Sequence, residues 1–498
     1  MSDTVLLAVD IGASSGRHVA GLFDGQRLRL EEVHRFDNGA VPAAGHLYWD
    51  LLQQWTNIRN GLRAAAGKYG NRLVSVGVDT WGVDFAMLDR NDELLGNPVT
   101  YRDHRADGML EQAFALVSKA DIFQHSGVQF MQINTLYQLL SMKLAKSPQL
   151  DAAESFLMMP DLFHWLLTGE KANEFTDAST SQFLDPRTQD WSRPLLEKLG
   201  IPTRMLKTVV QPGTKLGKLR PQLAAELNLP KIEVVLPGTH DTASAVMAVP
   251  AASSSILQPG ATPDWCYISS GTWSLMGVEL PQPVVNERCL ALNFTNEGGV
   301  GNTIRLLKNI SGLWLVQECR RIWNNAGKNL AWEDLTRMSA AAKPLAFLIN
   351  PDDAVFLSPD NMPEAIREFC RRAGQGAPAD EGAIVRCALE SLALAYRRVL
   401  GSLEELIDGR INTIHIVGGG TQNRQLCQAA ADACQRRVVA GPVEATAIGN
   451  LMMQAVAAGY VADIAQAREI VRRSFPVEEY APRDAAAWDA AYERFVGL

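Results

Sequence analysis

Val5-Leu6-Leu7-Ala8-Val9-Asp10, Ile11-Gly12-Ala13-Ser14-Ser15-Gly16 and Arg17-His18-Val19-Ala20-Gly21-Leu22-Phe23 follow one another without a break, and this stretch decides the fold. Strand-like stretches over 5–10 and 17–23, mostly apolar, lie on either side of a run of small residues. The pattern reads as two strands joined by a tight turn, with a third strand over 28–36. Asp10 stands where the first strand runs out. Backbone N–H groups and hydroxyls at such a turn can approach phosphate oxygens closely, with Asp10 holding Mg²⁺ through water and Arg17 adding a fixed positive charge. The same residues would equally serve a plain hairpin with a capping Asp. The stretch lacks Gly-Lys-Ser/Thr and is no Walker A loop.

Working outward, residues 49–69 carry Leu51, Leu52, Trp55, Ile58 and Leu62 at helical spacing and predict an amphipathic helix. A strand over 74–80 ends at Trp81-Gly82, and another runs over 83–88. Strands interleaved with helices indicate α/β layers. In the second half, strands over 265–270 and 273–278 again flank a tight polar turn, Gly271-Thr272. A helix over 381–406, a strand over 413–417, three glycines, a helix over 423–434 and a strand over 436–440 follow. A helix over 446–458 is apolar on most sides and is expected to be buried. The repeated strand–turn–strand unit suggests a duplicated domain. The Ala- and Ser-rich residues 250–263 are the candidate boundary.

With 498 residues, 47% of them hydrophobic and 20% charged, the chain has room for two large cores. A net charge of -8 and a pI near 5.6 argue against a nucleic-acid partner. No signal-peptide pattern opens the sequence, and no apolar run is long enough to cross a membrane, so a cytoplasmic protein is expected. The seven cysteines include no CxxC pair and read as reduced thiols. Cys427 and Cys434 are expected in the core. No heptad pattern is present, and a monomer or weak homo-oligomer is expected.

Five further stretches could carry chemistry. In Gly238-Thr239-His240-Asp241-Thr242-Ala243-Ser244-Ala245 an acid leaves an apolar strand and enters a small-residue helix. Asp241 could accept a substrate hydroxyl's proton, or it could merely cap the helix. Ser269-Ser270-Gly271-Thr272-Trp273-Ser274 is a hydroxyl-rich turn that could touch phosphates or be a plain hairpin. Val417-Gly418-Gly419-Gly420 would let a flat nucleoside lie against bare backbone, and it does not fit GxGxxG. Asp79-Thr80-Trp81-Gly82-Val83-Asp84 and Tyr101-Arg102-Asp103-His104-Arg105 combine hydrogen-bonding groups with aromatic faces, as a polyhydroxylated sugar needs, unless both are solvated loops.

The order of these signals resembles the FGGY family of carbohydrate kinases over essentially the whole chain. The stretches that carry the resemblance are 9–17, 79–85, 101–105, 240–245, 269–277, Asn293-Phe294-Thr295-Asn296-Glu297-Gly298-Gly299, Lys308-Asn309-Ile310-Ser311-Gly312-Leu313-Trp314 and 415–420. The resemblance implies two actin-like, ribonuclease-H-like α/β domains with an active-site cleft between them. It divides the chain into 1–247, bearing the sugar and the base, and 248–498, bearing the nucleotide. It implies ATP contacts from Ala13, Ser14, Ser15, Gly16, Arg17, Thr272, Gln317 and Gly419. It places a ketose near Gly82, His240, Asp241, Thr242 and Asn309, with Asp241 as proton acceptor and MgATP as phosphoryl donor. The implied ketose is L-rhamnulose, phosphorylated at its C1 hydroxyl in L-rhamnose catabolism, with L-fuculose or D-xylulose as alternatives. Family disulfides are not carried over, because only part of the cysteine set is present. Residues 252–264 form a longer loop than the family leads one to expect.

Overall fold

The computed structural model describes residues 4–229, 232–251, 261–357 and 359–498, and these form two compact units. The first comprises the described residues within 4–251, 279–306 and 445–475; the second comprises those within 261–278, 307–444 and 476–498. Residues 252–260, most of the expected boundary and of the longer loop, lie outside the described residues.

The first unit is built on a six-stranded sheet. Its strands are β1 (Thr4–Ile11), β2 (Ser15–Phe23), β3 (Leu28–Asp37), β4 (Leu73–Thr80), β5 (Lys215–Lys218) and β6 (Glu233–Val235), in the order β5-β6-β4-β1-β2-β3. β1, β2 and β3 pair antiparallel, whereas β4 lies parallel to β1 and β6 parallel to β4. Val5, Leu7, Val9, Val76, Val78 and Val234 are fully buried in the sheet core, so these strands read as apolar runs. Gly16 is required at the close of the turn, since a Cβ there would meet the Phe36 ring at 2.1 Å.

Helix α1 (Leu51–Tyr69) starts two residues later than expected, because Trp49 ends a strand and Asp50 caps the helix by accepting from the Gln53 N–H. Leu51, Ile58, Leu62, Ala65 and Tyr69 are buried, but Leu52 is 69% exposed, contrary to its expected place on the apolar face. One step of about 100° from Leu51 carries it off the stripe. Helix α2 (Asp241–Met247) follows β6, and helix α3 (Ala445–Ala457) packs against it and against β1 and β4. The expected burial of α3 holds, with Ile448, Leu451 and Met452 fully enclosed. Gly449 permits the α2–α3 contact, since a Cβ there would meet the Ser244 carbonyl oxygen at 1.8 Å.

The second unit repeats the plan. β7 (Trp265–Ser270) and β8 (Trp273–Leu280) pair antiparallel around the Gly271-Thr272 turn. β9 (Thr413–Val417) runs parallel to β7, and β10 (Arg437–Ala440) parallel to β9. β11 (Glu478–Tyr480) closes that side antiparallel to β10. The long helix Glu381–Leu406 is capped by Asp380 and supplies much of the core. All seven cysteines are buried, Cys427 and Cys434 among them. Among the described residues, no helix is long and apolar enough to cross a membrane.

Candidate active site

In the first unit three neighbouring chain segments end together. Asp10 on β1 and Asp79 on β4 are direct register partners, and the Thr80 N–H donates to the Thr239 carbonyl at 2.9 Å. Asp241, two residues on, opens α2. Parallel pairing thus gathers Asp10, Asp79 and Asp241 at the carboxyl ends of adjacent strands, the usual place for ligands in open α/β sheets.

The three acids are treated differently. Asp10 Oδ2 accepts from Arg17 Nε at 3.0 Å and Nη2 at 2.8 Å, so the guanidinium expected to serve phosphate is also the partner of this carboxylate. Asp79 is fully buried; Asn450 on α3 donates to its Oδ2 at 2.5 Å, and Oδ1 has no hydrogen-bond partner. Burial, reinforced by the charge of Asp10, holds its carboxyl well above the usual range. Asp241 keeps a third of its side-chain surface exposed. Loss of hydration raises its pKa, with the charge of Asp10 adding to the shift and hydrogen bonds from Thr242 opposing it. Its Oδ1 lies 3.2 Å from Thr242 Oγ1 and 3.5 Å from His240 Nε2. The N-cap position is His240 rather than Asp241, so the capping role considered for Asp241 is not the one it has.

The expected phosphate turn is tightly made. The Gly12 N–H donates to the Ser15 carbonyl at 2.9 Å, and Asn38 ties the loop down through its Nδ2 to the Gly12 carbonyl at 2.7 Å. Ser14 is exposed at the tip, and Ala13 and Ser15 are half-buried.

The Asp79–Asp84 region is no solvated loop. Asp84 is fully buried and accepts from Trp49 Nε1 at 2.7 Å, Trp81 Nε1 at 3.0 Å, the Tyr101 N–H at 3.1 Å and Gln138 Nε2 at 3.0 Å. Burial pushes its pKa up to about 6, with those donors resisting. Val83 has φ +68°, a costly conformation for a β-branched residue. Thr180 and Thr135 hold it there, through the Val83 N–H at 2.9 Å and its carbonyl at 2.6 Å. Gly82 sits at that turn against Thr180, where a Cβ would meet Cγ2 at 2.9 Å. In the 101–105 stretch Tyr101 and Asp103 are buried, while His104 is exposed and pairs with Asp107.

Three groups were not singled out in sequence. Glu174 is fully buried, and its Oε2 accepts from the Thr239 N–H at 3.0 Å, Thr239 Oγ1 at 2.6 Å and Thr176 Oγ1 at 2.5 Å. It anchors the segment that carries His240 and Asp241. Glu297 and Arg305 lie against His240. The one signal available beforehand was Glu297 inside the family-like stretch 293–299; a buried Glu174 has none.

In the second unit Thr272 and Gln317 come together, and the glycines on either side of Gly419 lie against Ser270. Thr272 Oγ1 donates to Gln317 Oε1 at 3.2 Å, and the Leu313 and Trp314 N–H groups donate to the Gly271 and Thr272 carbonyls at 3.0 and 3.1 Å. The turn therefore docks on the start of the helix Trp314–Asn325. Gly420 packs on Ser270, where a Cβ would meet Oγ at 2.0 Å, and Gly418 takes φ +85°. Gly419 is exposed with nothing near its Cβ position. Bare backbone beside a hydroxyl and an amide suits a nucleotide. Asn309, half-buried on the strand Ile304–Ser311, belongs to this unit.

Magnesium favours oxygen ligands and usually keeps several waters, held by one or two carboxylates and substrate phosphates. Asp10, with the unpartnered Asp79 Oδ1 beside it, fits that sparse set. Among the described residues there is no cluster of three or more metal-ligating side chains.

Residues 5–248 match the model of the FGGY family of carbohydrate kinases, N-terminal domain, and residues 266–458 that of the C-terminal domain. The chain belongs to this family of two-domain, actin-like kinases. Among its most similar curated relatives is a rhamnulokinase of Bacteroides thetaiotaomicron, 43% identical over 488 residues and 98% of each chain. A rhamnulokinase of Oceanobacillus iheyensis is 42% identical over 95% of this chain and 98% of its own. Solved structures share the fold: gluconate kinase from Lactobacillus acidophilus has a TM-score of 0.80 at 15% identity, covering 100% of this chain and 97% of its own. Plasmodium falciparum glycerol kinase with ADP has a TM-score of 0.75 at 14% identity, with the same coverage of 100% and 97%.

Proposed function

We propose that the protein transfers the γ-phosphoryl group of ATP to the C1 hydroxyl of L-rhamnulose, giving L-rhamnulose 1-phosphate and ADP in the cytoplasmic breakdown of L-rhamnose. The observation that carries the chemistry is Asp241: a part-open carboxylate with raised proton affinity, fixed at the meeting point of three chain ends. The rhamnulokinase relatives, matched over nearly their full length, support the choice of ketose.

In this reading residues 1–247 supply the sugar subsite (Gly82, His240, Asp241, Thr242) and the phosphate turn Ala13 to Arg17. Residues 248–498 supply Asn309 and the nucleotide contacts Thr272, Gln317 and Gly419. Asp241 orients the hydroxyl and takes its proton as the new O–P bond forms and the bond to the β-phosphate oxygen breaks. Phosphoryl transfer passes through a loose transition state, so positioning and charge stabilisation dominate. Mg²⁺, held by Asp10 through water, would neutralise phosphate charge. Excluding water from the reacting groups keeps ATP from being hydrolysed.

A coupled ADP-release assay over a panel of ketoses tests the proposal. L-Rhamnulose should give the highest kcat/KM. A clear preference for L-fuculose or D-xylulose would reassign the substrate, and sugar-independent ATP turnover would reject the kinase reading.

A further inference from the structure

His240 is enclosed on one side by a buried ion pair. Its Nδ1 lies 3.1 Å from Arg305 Nη2 and 3.4 Å from Glu297 Oε2, and those two atoms are 3.2 Å apart. Arg305 is fully buried and also donates from Nε to the Gly298 carbonyl at 2.7 Å. A guanidinium has only donors and stays charged in proteins. At 3.1 Å from Nη2, Nδ1 must therefore offer its lone pair, because an N–H there would oppose another N–H. The proton of the neutral ring is then on Nε2, the nitrogen on the Asp241 side, 3.5 Å from Oδ1.

We propose that Arg305 is a positioning residue that locks His240 as the neutral Nε2–H tautomer, so that the imidazole offers a fixed donor to a substrate oxygen beside the hydroxyl held by Asp241. The inference rests on the sugar-site reading above. Glu297 balances the guanidinium charge, which would otherwise be buried alone, and it is the competing acceptor for a proton on Nδ1. The charged and titratable groups facing this ring are Arg305, Glu297 and Asp241, with Asp10, Asp79 and Asp177 acting on Asp241 from further away. A ring fixed as donor distinguishes oxygen acceptors from other groups at this position.

The test is ¹⁵N NMR of histidine-labelled, substrate-free protein, with the His240 signals assigned by their loss in His240→Gln. At neutral pH Nδ1 should have the shift of an unprotonated nitrogen and Nε2 that of a protonated one. The reverse pattern, or an imidazolium, overturns the proposal directly in the wild-type protein, whether or not any variant folds. In Arg305→Met, which leaves Glu297 as the polar group against Nδ1 among the described residues, the proton should move to Nδ1 or the ring should become doubly protonated. The KM for the ketose should rise about 10- to 100-fold with that for ATP little changed, as when a site loses a fitted hydrogen bond. In Glu297→Gln, which keeps the guanidinium, the Nε2–H tautomer should persist. An unchanged tautomer and unchanged ketose KM in Arg305→Met would remove Arg305 from this role. Because the NMR result is read without substrate, it stands apart from a failure of the kinase assignment, which the Asp241 variant decides.

Discussion

Glu174 accepts hydrogen bonds from both the backbone N–H and the hydroxyl of Thr239, at 3.0 and 2.6 Å, just ahead of His240 and Asp241. Five donor groups crowd this one carboxylate, counting the hydroxyl and N–H of Thr176 at 2.5 and 3.0 Å and the Asp177 N–H at 3.4 Å. Replacing it by an amide sets N–H against N–H. For Glu174→Gln a loss of about 1–3 kcal/mol is expected, the cost of a buried group left unsatisfied. A kcat reduced at least as much as stability is also expected, since the same contact aims Asp241. Denaturant melts beside steady-state kinetics check this; unchanged kcat in a destabilised variant would make Glu174 structural only.

Asp241→Asn separates catalysis from stability. Turnover should fall by about 10²–10⁴, typical for a lost acid–base group. Because the carboxyl binds its proton more tightly folded than unfolded, its ionised form opposes folding. The neutral amide should therefore melt at a higher temperature at neutral pH, an advantage that disappears as the pH falls and wild-type Asp241 takes up its proton. The acid limb of the wild-type rate profile should lie above the ordinary aspartate range. Near-normal turnover in the variant would remove Asp241 from its role.

Trp49→Phe probes Asp84. The ring contact with Trp81, with centroids 4.1 Å apart, is retained in outline, while the 2.7 Å N–H bond to Asp84 is lost. Asp84 already titrates near 6 because burial disfavours its charge. Removing a donor raises that value further, so the variant's deficit should be about 1–2 kcal/mol above pH ~7 and shrink as the pH falls toward ~5, where the carboxyl is protonated. A deficit that does not change with pH would show packing alone to be responsible.

The glycine turn offers a paired test of the nucleotide assignment. Gly419→Ala enters open space and should leave the melting temperature unchanged while raising the KM for ATP several-fold and sparing that for the ketose. Gly420→Ala drives a Cβ into Ser270 Oγ and should destabilise by about 1–3 kcal/mol, as overpacking does. An ATP KM untouched by Gly419→Ala would place the nucleotide elsewhere.

Asp10→Asn keeps the shape facing Arg17 but removes the charge. The magnesium concentration for half-maximal rate should rise about tenfold while ketose affinity, measured by titration, changes little. Equal weakening of both would move Asp10 from the metal side to the sugar side.

Much of this architecture is local and was legible. The bounds of Glu381–Leu406 and Thr413–Val417 follow from apolar spacing, an Asp cap and the glycines after the strand. The paired strand–turn–strand units and the order of the polar motifs led to the family in the same way. A stripe of apolar side chains, by contrast, does not mark its own edge, and Leu52 lies outside it.

The sequence by itself thus determined the strand–turn–strand units, several of the helices and strands that follow them, the family and Asp241 as a candidate base, because turn chemistry and periodicity act between residues a few positions apart. Only the tertiary structure decided that Asp10, Asp79 and Asp241 share one edge, that α3 returns from the far end of the chain to bind Asp79, and that Glu174 and Arg305 grip the segment between β6 and α2. Parallel pairing and buried polar contacts join residues far apart in the chain, and nothing in the local pattern around a buried Glu or Arg says which partner will neutralise it.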